Sequence, residues 1–232
     1  MSKNHFSTRF VLIATTLIVC LITSNFFVPR LWQVAGLPLQ LSGAVLLFPV
    51  TYILNDCVTE VYGYRKARFV IWIAFVLSAF VAMMSQLICW LPAPLQEESL
   101  PVAEAFNSLF SMVPRTTIAS LFAFFVGSTV NAWIMSRMKV ASEGRRFGSR
   151  AILSSVGGEV SDSLIFYPAA FWGVLPLSVV MQLAVTQVCV KLLYELVALP
   201  LTSWFVNSVK RAEGIDTYDR KVSYNPFKIK DF

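Results

Sequence analysis

Ionisable residues interrupt two stretches of the chain that are otherwise apolar. The segment "SSVGGEVSDSLIFYP" contains Glu159 and Asp162, three residues apart, so both carboxylates share one face of an α-helix. Two anions this close repel each other, which predicts that one is protonated or that a cation lies between them. The segment "QVCVKLLYELV" contains Lys191 and Glu195 four residues apart, and Gln187 one turn earlier extends the same polar face.

The short connection "GVLPL" joins these two segments, so their polar faces are expected to meet. Three carboxylates and one ammonium would then converge in an apolar environment. One interpretation is an ion pair within a single helix, between Lys191 and Glu195, that only neutralises itself. A functional cavity is the favoured interpretation, because three anions and one cation do not cancel and buried charges usually have a task.

A third acidic pair occurs in "NDCVTEVYGYRKAR", where Asp56 and Glu60 are four residues apart. Glu60 is expected near the inner membrane surface in an ion pair with Arg65 or Lys66. Asp56 and its neighbour Asn55 lie deeper in the apolar run and are candidates for the same cavity.

Other candidate polar groups carry weaker signals. Asn25 and Asn131 are candidate binding residues inside apolar runs, although a hydrogen bond between helices would also explain each of them. Arg115 begins another apolar run, where anchoring at the outer surface is the alternative. His5 is the only histidine and the four cysteines form no CxxC motif, so neither a metal site nor a cofactor is expected. No nucleotide-binding motif is present, which argues against ATP hydrolysis by this chain.

The composition indicates which kind of secondary structure carries these polar groups. Of the 232 residues, 56% are hydrophobic and 14% are charged, and the mean hydropathy is +0.66. These values predict an all-α integral membrane protein. The net charge of +6 does not indicate a nucleic-acid partner, because the basic residues lie between apolar runs. Six runs reach the ~20 residues of a spanning helix, at residues 10–28, 41–62, 69–91, 115–137, 150–172 and 178–208.

Details of these runs give further expectations. The second run is expected to bend near Pro49, and the sixth is long enough to tilt, to kink at Pro200 or to project from the membrane. The loop 92–114 is predicted to contain a short interfacial or re-entrant helix. Paired acids in the second and fifth runs, and an asparagine in the first and fourth, suggest a 3+3 inverted repeat.

Basic residues predict the orientation. If the six runs alternate in direction, all Lys and Arg residues except Arg30, Arg115 and Lys191 fall on the side of the N-terminus. The positive-inside rule then predicts that both termini are cytoplasmic. Residues 1–209 form the predicted six-helix transmembrane domain, and residues 210–232 form a cytoplasmic tail that extends the last helix and has a mobile end.

Three segments carry a family resemblance: "FPVTYILNDCVTEVYGYRKAR", "GGEVSDSLIFYPAAFWG" and "VCVKLLYELVALPLTSWFVNSVKRAEGIDTYD". Together they resemble the queuosine precursor transporter family, also called the vitamin uptake transporter family, over residues 23–219. The resemblance implies a six-helix protein of the bacterial inner membrane that imports 7-deazaguanine bases, the precursors of the modified tRNA nucleoside queuosine. These are 7-cyano-7-deazaguanine, 7-aminomethyl-7-deazaguanine and queuine.

The implied substrate suits the residues already selected. A carboxylate of Glu159 or Asp162 would accept the ring N–H and the exocyclic amine as a planar pair. Lys191 or Asn25 would donate to the base carbonyl, and Asp56 would stabilise an aminomethyl cation. A substrate-binding subunit that needs a separate ATP-driven module is the alternative function. An intramembrane enzyme is disfavoured, because no nucleophile is paired with a base in a recognisable motif. A homodimer is also expected.

Overall fold

The fold is almost entirely helical. The computed structural model describes residues 7–27, 30–33, 40–111, 114–173, 176–220 and 222–228. In these residues, seven α-helices accompany a small antiparallel hairpin that pairs Trp32 with Leu41. The elements are α1 (Thr8–Phe27), β1 (Leu31–Gln33), β2 (Gln40–Ser42), α2 (Phe48–Tyr62), α3 (Tyr64–Cys89), α4 (Leu100–Ser111), α5 (Pro114–Ala141), α6 (Phe147–Phe171) and α7 (Leu177–Glu213).

Five helical segments in the described part of the chain are long and apolar enough to cross a membrane: Thr8–Phe27, Gly43–Tyr62, Tyr64–Cys89, Ile118–Ala141 and Leu177–Glu213. Each coincides with one of the six predicted spans. The remaining predicted span corresponds to α6, which is 25 residues long but carries Arg150, Glu159 and Asp162. The length of α6 is therefore that of a spanning helix, while its polar residues lower its hydropathy.

The helix boundaries refine three expectations. Instead of bending at Pro49, the chain makes one 3-10 turn at Gly43–Leu46 and begins α2 at Phe48. Pro49 then lies in the first helical turn, where its missing N–H costs no hydrogen bond. The short helix predicted in the loop 92–114 is confirmed by α4. At about 1.5 Å per residue, the 37 residues of α7 extend well beyond the ~30 Å hydrocarbon core.

Helix α2 is the central element of the bundle. It is buried on nearly all sides, and it contacts α1, α3, α5 and α7. The apolar core lies mainly around it, and it includes Leu17 and Leu21 of α1, Val58 and Val61 of α2, and Ile71 of α3. A helix in this position can present polar side chains only to other helices, so its ionisable residues must find partners inside the protein.

The start of α1 and the end of α7 meet at one end of the bundle. Arg9 at the start of α1 donates to the carbonyl of Ala212 at 2.9 Å and lies 3.5 Å from Glu213, both at the end of α7. The first and last helices therefore begin and end on the same side, as alternating spans require. That this side is cytoplasmic stays a prediction.

The polypeptide after α7 folds back onto this end of the bundle. The Oδ2 atom of Asp219 accepts hydrogen bonds from the Tyr64 amide at 2.8 Å and from the Ser136 hydroxyl at 2.6 Å. The Thr217 amide donates to the carbonyl of Val61 at 3.2 Å. These contacts join the tail to α2, α3 and α5.

A second set of contacts continues along α3. Arg68 donates to the carbonyls of Ser223 and Asn225, at 3.1 and 2.6 Å, and the Trp72 indole donates to the carbonyl of Pro226 at 2.8 Å. Residues 214–220 and 222–228 are therefore docked against the bundle, where the sequence predicted a mobile end. The polar composition of this segment is typical of a free tail, but side chains of α3 donate hydrogen bonds to its backbone carbonyls.

Gly63 permits both the connection and the docking. It links α2 to α3 with φ 87°, a conformation that side chains disfavour. A β-carbon at this position would also lie 2.8 Å from Cγ2 of Thr217 and 2.9 Å from Oδ1 of Asp219. Only glycine allows the tail to approach this tightly.

The docking of the tail predicts the effect of Asp219→Ala. The buried Tyr64 amide loses its acceptor, which costs about 1–3 kcal/mol and loosens the tail. Protease cleavage within residues 214–228 should accelerate, and the unfolding temperature in detergent should fall. Glu98→Ala, which removes an exposed carboxylate before α4, is the control and should change neither value. Equal cleavage of wild type and Asp219→Ala would contradict the docking.

Candidate functional site

An ammonium group bridges the two acids of α6. The Nζ atom of Lys191 on α7 lies 2.6 Å from Oε2 of Glu159 and 3.4 Å from Oδ2 of Asp162. Glu159 and Asp162 are 2% and 7% exposed. The expected meeting of the α6 and α7 polar faces is confirmed. The alternative ion pair within α7 is wrong, because Lys191 crosses to α6 instead of pairing with Glu195 among the described residues.

Glu195 has a different partner on α6. Its Oε1 atom accepts a hydrogen bond from the Ser155 hydroxyl at 2.6 Å. Ser155 precedes Glu159 by one helical turn, so the α6–α7 contact consists of two polar layers. Helix α2 closes the third side, since the Lys191 ammonium lies 4.4 Å from the centre of the Phe48 ring. This cation–π contact further holds the ammonium at the point where α2, α6 and α7 meet.

A second polar group lies between α2 and α5. Asp56 is 0% exposed, and neither carboxylate oxygen has a hydrogen-bond partner in the described part of the chain. Glu195 and Asn131 are its neighbours, but the Asn131 amide does not reach good hydrogen-bond geometry with it. Asn55 donates from Nδ2 to the Ser128 carbonyl of α5 at 3.3 Å, which leaves its Oδ1 unpaired among the described residues.

The structure does not bring Asn25 or Gln187 into this group, and the side chain of a third candidate, Arg115, is not described. Asn25 lies near the end of α1, and its Oδ1 accepts a 3.4 Å hydrogen bond from Ser120 of α5. Gln187 is half-buried one turn before Lys191, with no hydrogen bond to the acids among the described residues. Arg115 lies in the first turn of α5, and its side chain is outside the described part.

The buried centre carries an excess of acidic groups. Four carboxylates, those of Glu159, Asp162, Glu195 and Asp56, accompany the single ammonium of Lys191. In an apolar interior, ionised groups are costly unless they are paired, so this arrangement favours ligands that supply hydrogen-bond donors or positive charge. This composition suits the recognition of a small donor-rich molecule.

A separate charge cluster closes the end of the bundle where α7 finishes. Arg150 of α6 holds both oxygens of Glu60, with one contact at 3.0 Å. Lys210 of α7 contacts Glu60 Oε1 at 2.6 Å, and Lys139 of α5 lies 3.6 Å from the same oxygen. The Lys139 ammonium also donates to the backbone carbonyl of Glu60. Three helices are thereby tied to α2.

This cluster corrects the prediction for Glu60. Arg65 and Lys66 follow it closely in sequence, but they are not its salt-bridge partners in the structure. Glu60 is fully buried, and α2 ends within two residues of it, so the next turn of α3 does not return a side chain to its carboxylate. Distant residues of the chain provide the cations instead.

Asp216 completes the cluster from the tail. It lies 2.5 Å from the Lys139 ammonium and 2.9 Å from that of Lys210. Partial burial opposes ionisation, but hydrogen bonds and charge from the two lysines lower the pKa of Asp216 below its usual value. Its contribution to stability is present above the unfolded-state pKa and is lost as pH falls through the lowered folded-state pKa.

Sequence reasoning missed three residues at the buried centre: Tyr52, Ser155 and Phe48. Tyr52 precedes Asp56 by four residues and Ser155 precedes Glu159 by four, so both lie on the faces that carry acids. That spacing is the signal that would have selected them. Phe48 has no such signal, because it is one of 19 phenylalanines.

A buried, acid-rich centre between long apolar helices is typical of multi-pass membrane proteins that bind or move polar substrates. The family profile described as "Putative vitamin uptake transporter" matches residues 42–205. The chain therefore belongs to this vitamin uptake transporter family.

One curated relative extends the comparison. The protein named "Probable queuosine precursor transporter" from Bacillus subtilis (strain 168) is 24% identical over 187 residues, which cover 77% of this chain and 76% of the relative. No solved structure matches the chain.

The cluster around Glu60 predicts a large loss of stability in Glu60→Gln. Three buried or half-buried cations would then face a neutral amide, and breaking a buried ion pair in this way costs about 3–5 kcal/mol. The unfolding temperature of the purified protein in detergent should fall sharply. Glu60→Asp retains the charge and should fall less. If Glu60→Gln unfolded at the wild-type temperature, the cluster would not stabilise the bundle.

Proposed function

We propose that this protein imports queuosine precursors across a bacterial inner membrane through the carboxylate site between α6 and α7. The substrates are 7-cyano- or 7-aminomethyl-7-deazaguanine, or queuine. The observation that carries the proposal is the buried contact of Lys191 with Glu159 and Asp162, in a chain that belongs to a transporter family. The name of the Bacillus subtilis relative supports the substrate class.

The donor pattern of the base suits this site. A 7-deazaguanine presents a ring N–H beside an exocyclic amine, and one carboxylate of Glu159 or Asp162 accepts both in a planar pair. The Lys191 ammonium, 3.4 Å from the farther acid, donates to the neighbouring base carbonyl. In the substrate-free protein the same ammonium bridges the two acids, so the site is kept assembled before the base arrives.

The remaining acids act on the substituent of the base. Asp56 and Glu195 are neighbours, and neither has a salt-bridge partner among the described residues; an aminomethyl ammonium would supply one. Asn55 and Asn131 line the same region from α2 and α5. An analogue that leaves these buried groups unpaired is rejected, in related cases by about 10⁴-fold.

The proposed topology has six spans: α1, the 43–62 segment, α3, α5, α6 and α7, with both termini in the cytoplasm. Asn25 and Arg115 then lie towards the outer face, and Gln187 borders the site on α7. The Glu60 cluster and the docked tail close the cytoplasmic end, so the substrate is released inward only after these contacts open. Residues 1–209 form the transporter domain, and assembly as a homodimer stays a prediction.

The proposal predicts that Glu159→Gln and Asp162→Asn strongly reduce transport. Each hydrogen bond to a charged group is worth about 1.5–3 kcal/mol, so uptake should fall by about two orders of magnitude. The measurement is uptake of radiolabelled 7-cyano-7-deazaguanine into liposomes that contain only the purified protein. Glu104→Gln, an exposed acid of α4, is the control and should transport normally.

The same assay separates the two functional candidates. Transport by the wild-type protein alone excludes the requirement for an ATP-driven module. Binding without transport would favour the substrate-binding subunit instead. Normal uptake by both α6 variants, with the protein folded, would contradict the site assignment.

A further inference from the structure

Four buried side chains between α2 and α5 contain polar atoms with no hydrogen-bond partner in the described part of the chain. We refer to them as the α2–α5 seam. They are Tyr52 at its hydroxyl, Asn55 at Oδ1, Asp56 at both oxygens and Asn131 at both amide atoms. Each residue is at most 3% exposed. Buried polar atoms are nearly always paired in folded proteins, so a group of unpaired atoms at one place requires an explanation.

Several other buried hydroxyl groups of the bundle show the usual solution, whereas those of Tyr62, Ser78 and Ser163, like that of Tyr52, have no partner among the described residues. Ser154 donates to the carbonyl of Ala151 at 2.8 Å, and Thr59 donates to that of Asn55 at 2.8 Å. Such local bonds to the backbone satisfy serine and threonine without any ligand. The aromatic ring holds the Tyr52 hydroxyl away from its own backbone, so a partner must come from elsewhere.

The hydroxyl of Tyr52 lies among the acids of the candidate site. The position of a β-carbon on Gly127 is 2.9 Å from this hydroxyl and 3.0 Å from Cβ of Asp162, so the two side chains are adjacent, and the charges of Glu159, Glu195 and Asp56 also act on the hydroxyl. Tyr52 also lies one turn before Asp56 on the same face of α2. The seam and the α6–α7 carboxylates therefore belong to one buried polar region.

Two glycines allow Tyr52 to reach this position. A β-carbon on Gly127 of α5 would lie 2.9 Å from the Tyr52 hydroxyl and 2.9 Å from the carbonyl of Gly158. A β-carbon on Gly158 of α6 would lie 3.1 Å from the Tyr52 ring and 2.9 Å from Cβ of Asn131. The absence of side chains at both positions thus places the tyrosine against the α5–α6 contact.

We propose that Tyr52 and Asn131 form the second half of the substrate site, which binds the parts of the base that the α6 carboxylates do not hold. This inference rests on the proposed function. The amide of Asn131 is complementary to the edge on which ring atom N3 accepts and N9–H donates, because it offers one donor and one acceptor side by side. Tyr52, beside the acids, donates to the base carbonyl together with Lys191.

The pairing has a consequence for specificity. A substituent on N9, such as a methyl group or the ribose of a nucleoside, replaces the hydrogen of N9–H. The amide oxygen of Asn131 then loses its hydrogen-bond donor. The oxygen of the buried amide would then be left unpaired, which is the condition under which sites of this kind reject an analogue. Asn131 therefore selects the free base over its N9-substituted forms.

Tyr52→Phe tests the inference without removing the ring. Calorimetric titration of the purified protein with 7-cyano-7-deazaguanine should give about tenfold weaker binding, the value of one neutral hydrogen bond. The unfolding temperature of the ligand-free variant should be no lower than that of wild type, because the deleted hydroxyl has no partner there. Tyr62→Phe is the matched control: Tyr62 is 4% exposed and ten residues along α2, about 15 Å away. It should bind as wild type does.

Three outcomes of the titration and the unfolding measurement are decisive. Wild-type affinity in Tyr52→Phe would overturn the role of Tyr52. A lower unfolding temperature with unchanged affinity would show that the hydroxyl is structural, and it would overturn the inference as well. Absence of binding by the wild-type protein would instead overturn the proposed function, and the inference with it.

Asn131→Leu tests the second residue with a side chain of similar shape. Wild type should bind 7-cyano-7-deazaguanine at least about tenfold more tightly than its N9-methyl derivative. Asn131→Leu should bind the free base more weakly and lose most of this preference. If the variant kept the wild-type preference for the free base over the N9-methyl derivative, Asn131 would not bind the N3/N9–H edge.

Discussion

Glu60 is a fully buried carboxylate near the end of α2, and three cationic side chains from α5, α6 and α7 converge on it. A buried anion is costly unless cations and donors surround it, so these helix ends are fixed relative to one another by a single charge. Lys139 and Lys210 also hold Asp216, which attaches the tail to the same place. The positions of these helices, and hence of the candidate site between them, depend on this cluster.

The two charged regions of the bundle have opposite characters. Around Glu60, three cations accompany the carboxylates of Glu60 and Asp216, and each of these groups is paired, which suits a structural joint. At the centre, the ammonium of Lys191 is outnumbered by the surrounding acids, and the Asp56 carboxylate has no hydrogen-bond partner among the described residues. Incomplete pairing costs stability, and proteins retain such costs where a ligand later completes the pairing.

The features that depend on local sequence patterns could be predicted from the sequence. Apolar runs of spanning length located the long helices, and the spacing of Glu159, Asp162 and Lys191 on two neighbouring helices predicted their meeting. The partners of Glu60 were not predictable in this way, because Arg150 lies 90 residues away in sequence. Tyr52 also escaped notice, since a tyrosine in an apolar run is usually interfacial, and its spacing of four residues from Asp56 was the one signal in the sequence. The close approach at Gly127 and Gly158 shows its position.

The central claim is that the base binds between the carboxylates of α6 and the polar groups of α2 and α5. The most direct measurement is an experimental structure of the protein with 7-cyano-7-deazaguanine bound. We expect the ring N–H and exocyclic amine of the base within hydrogen-bond distance of Glu159 or Asp162, and its N3/N9–H edge beside Asn131. A base bound elsewhere in the protein, with the Lys191 contacts to α6 unchanged, would contradict the account.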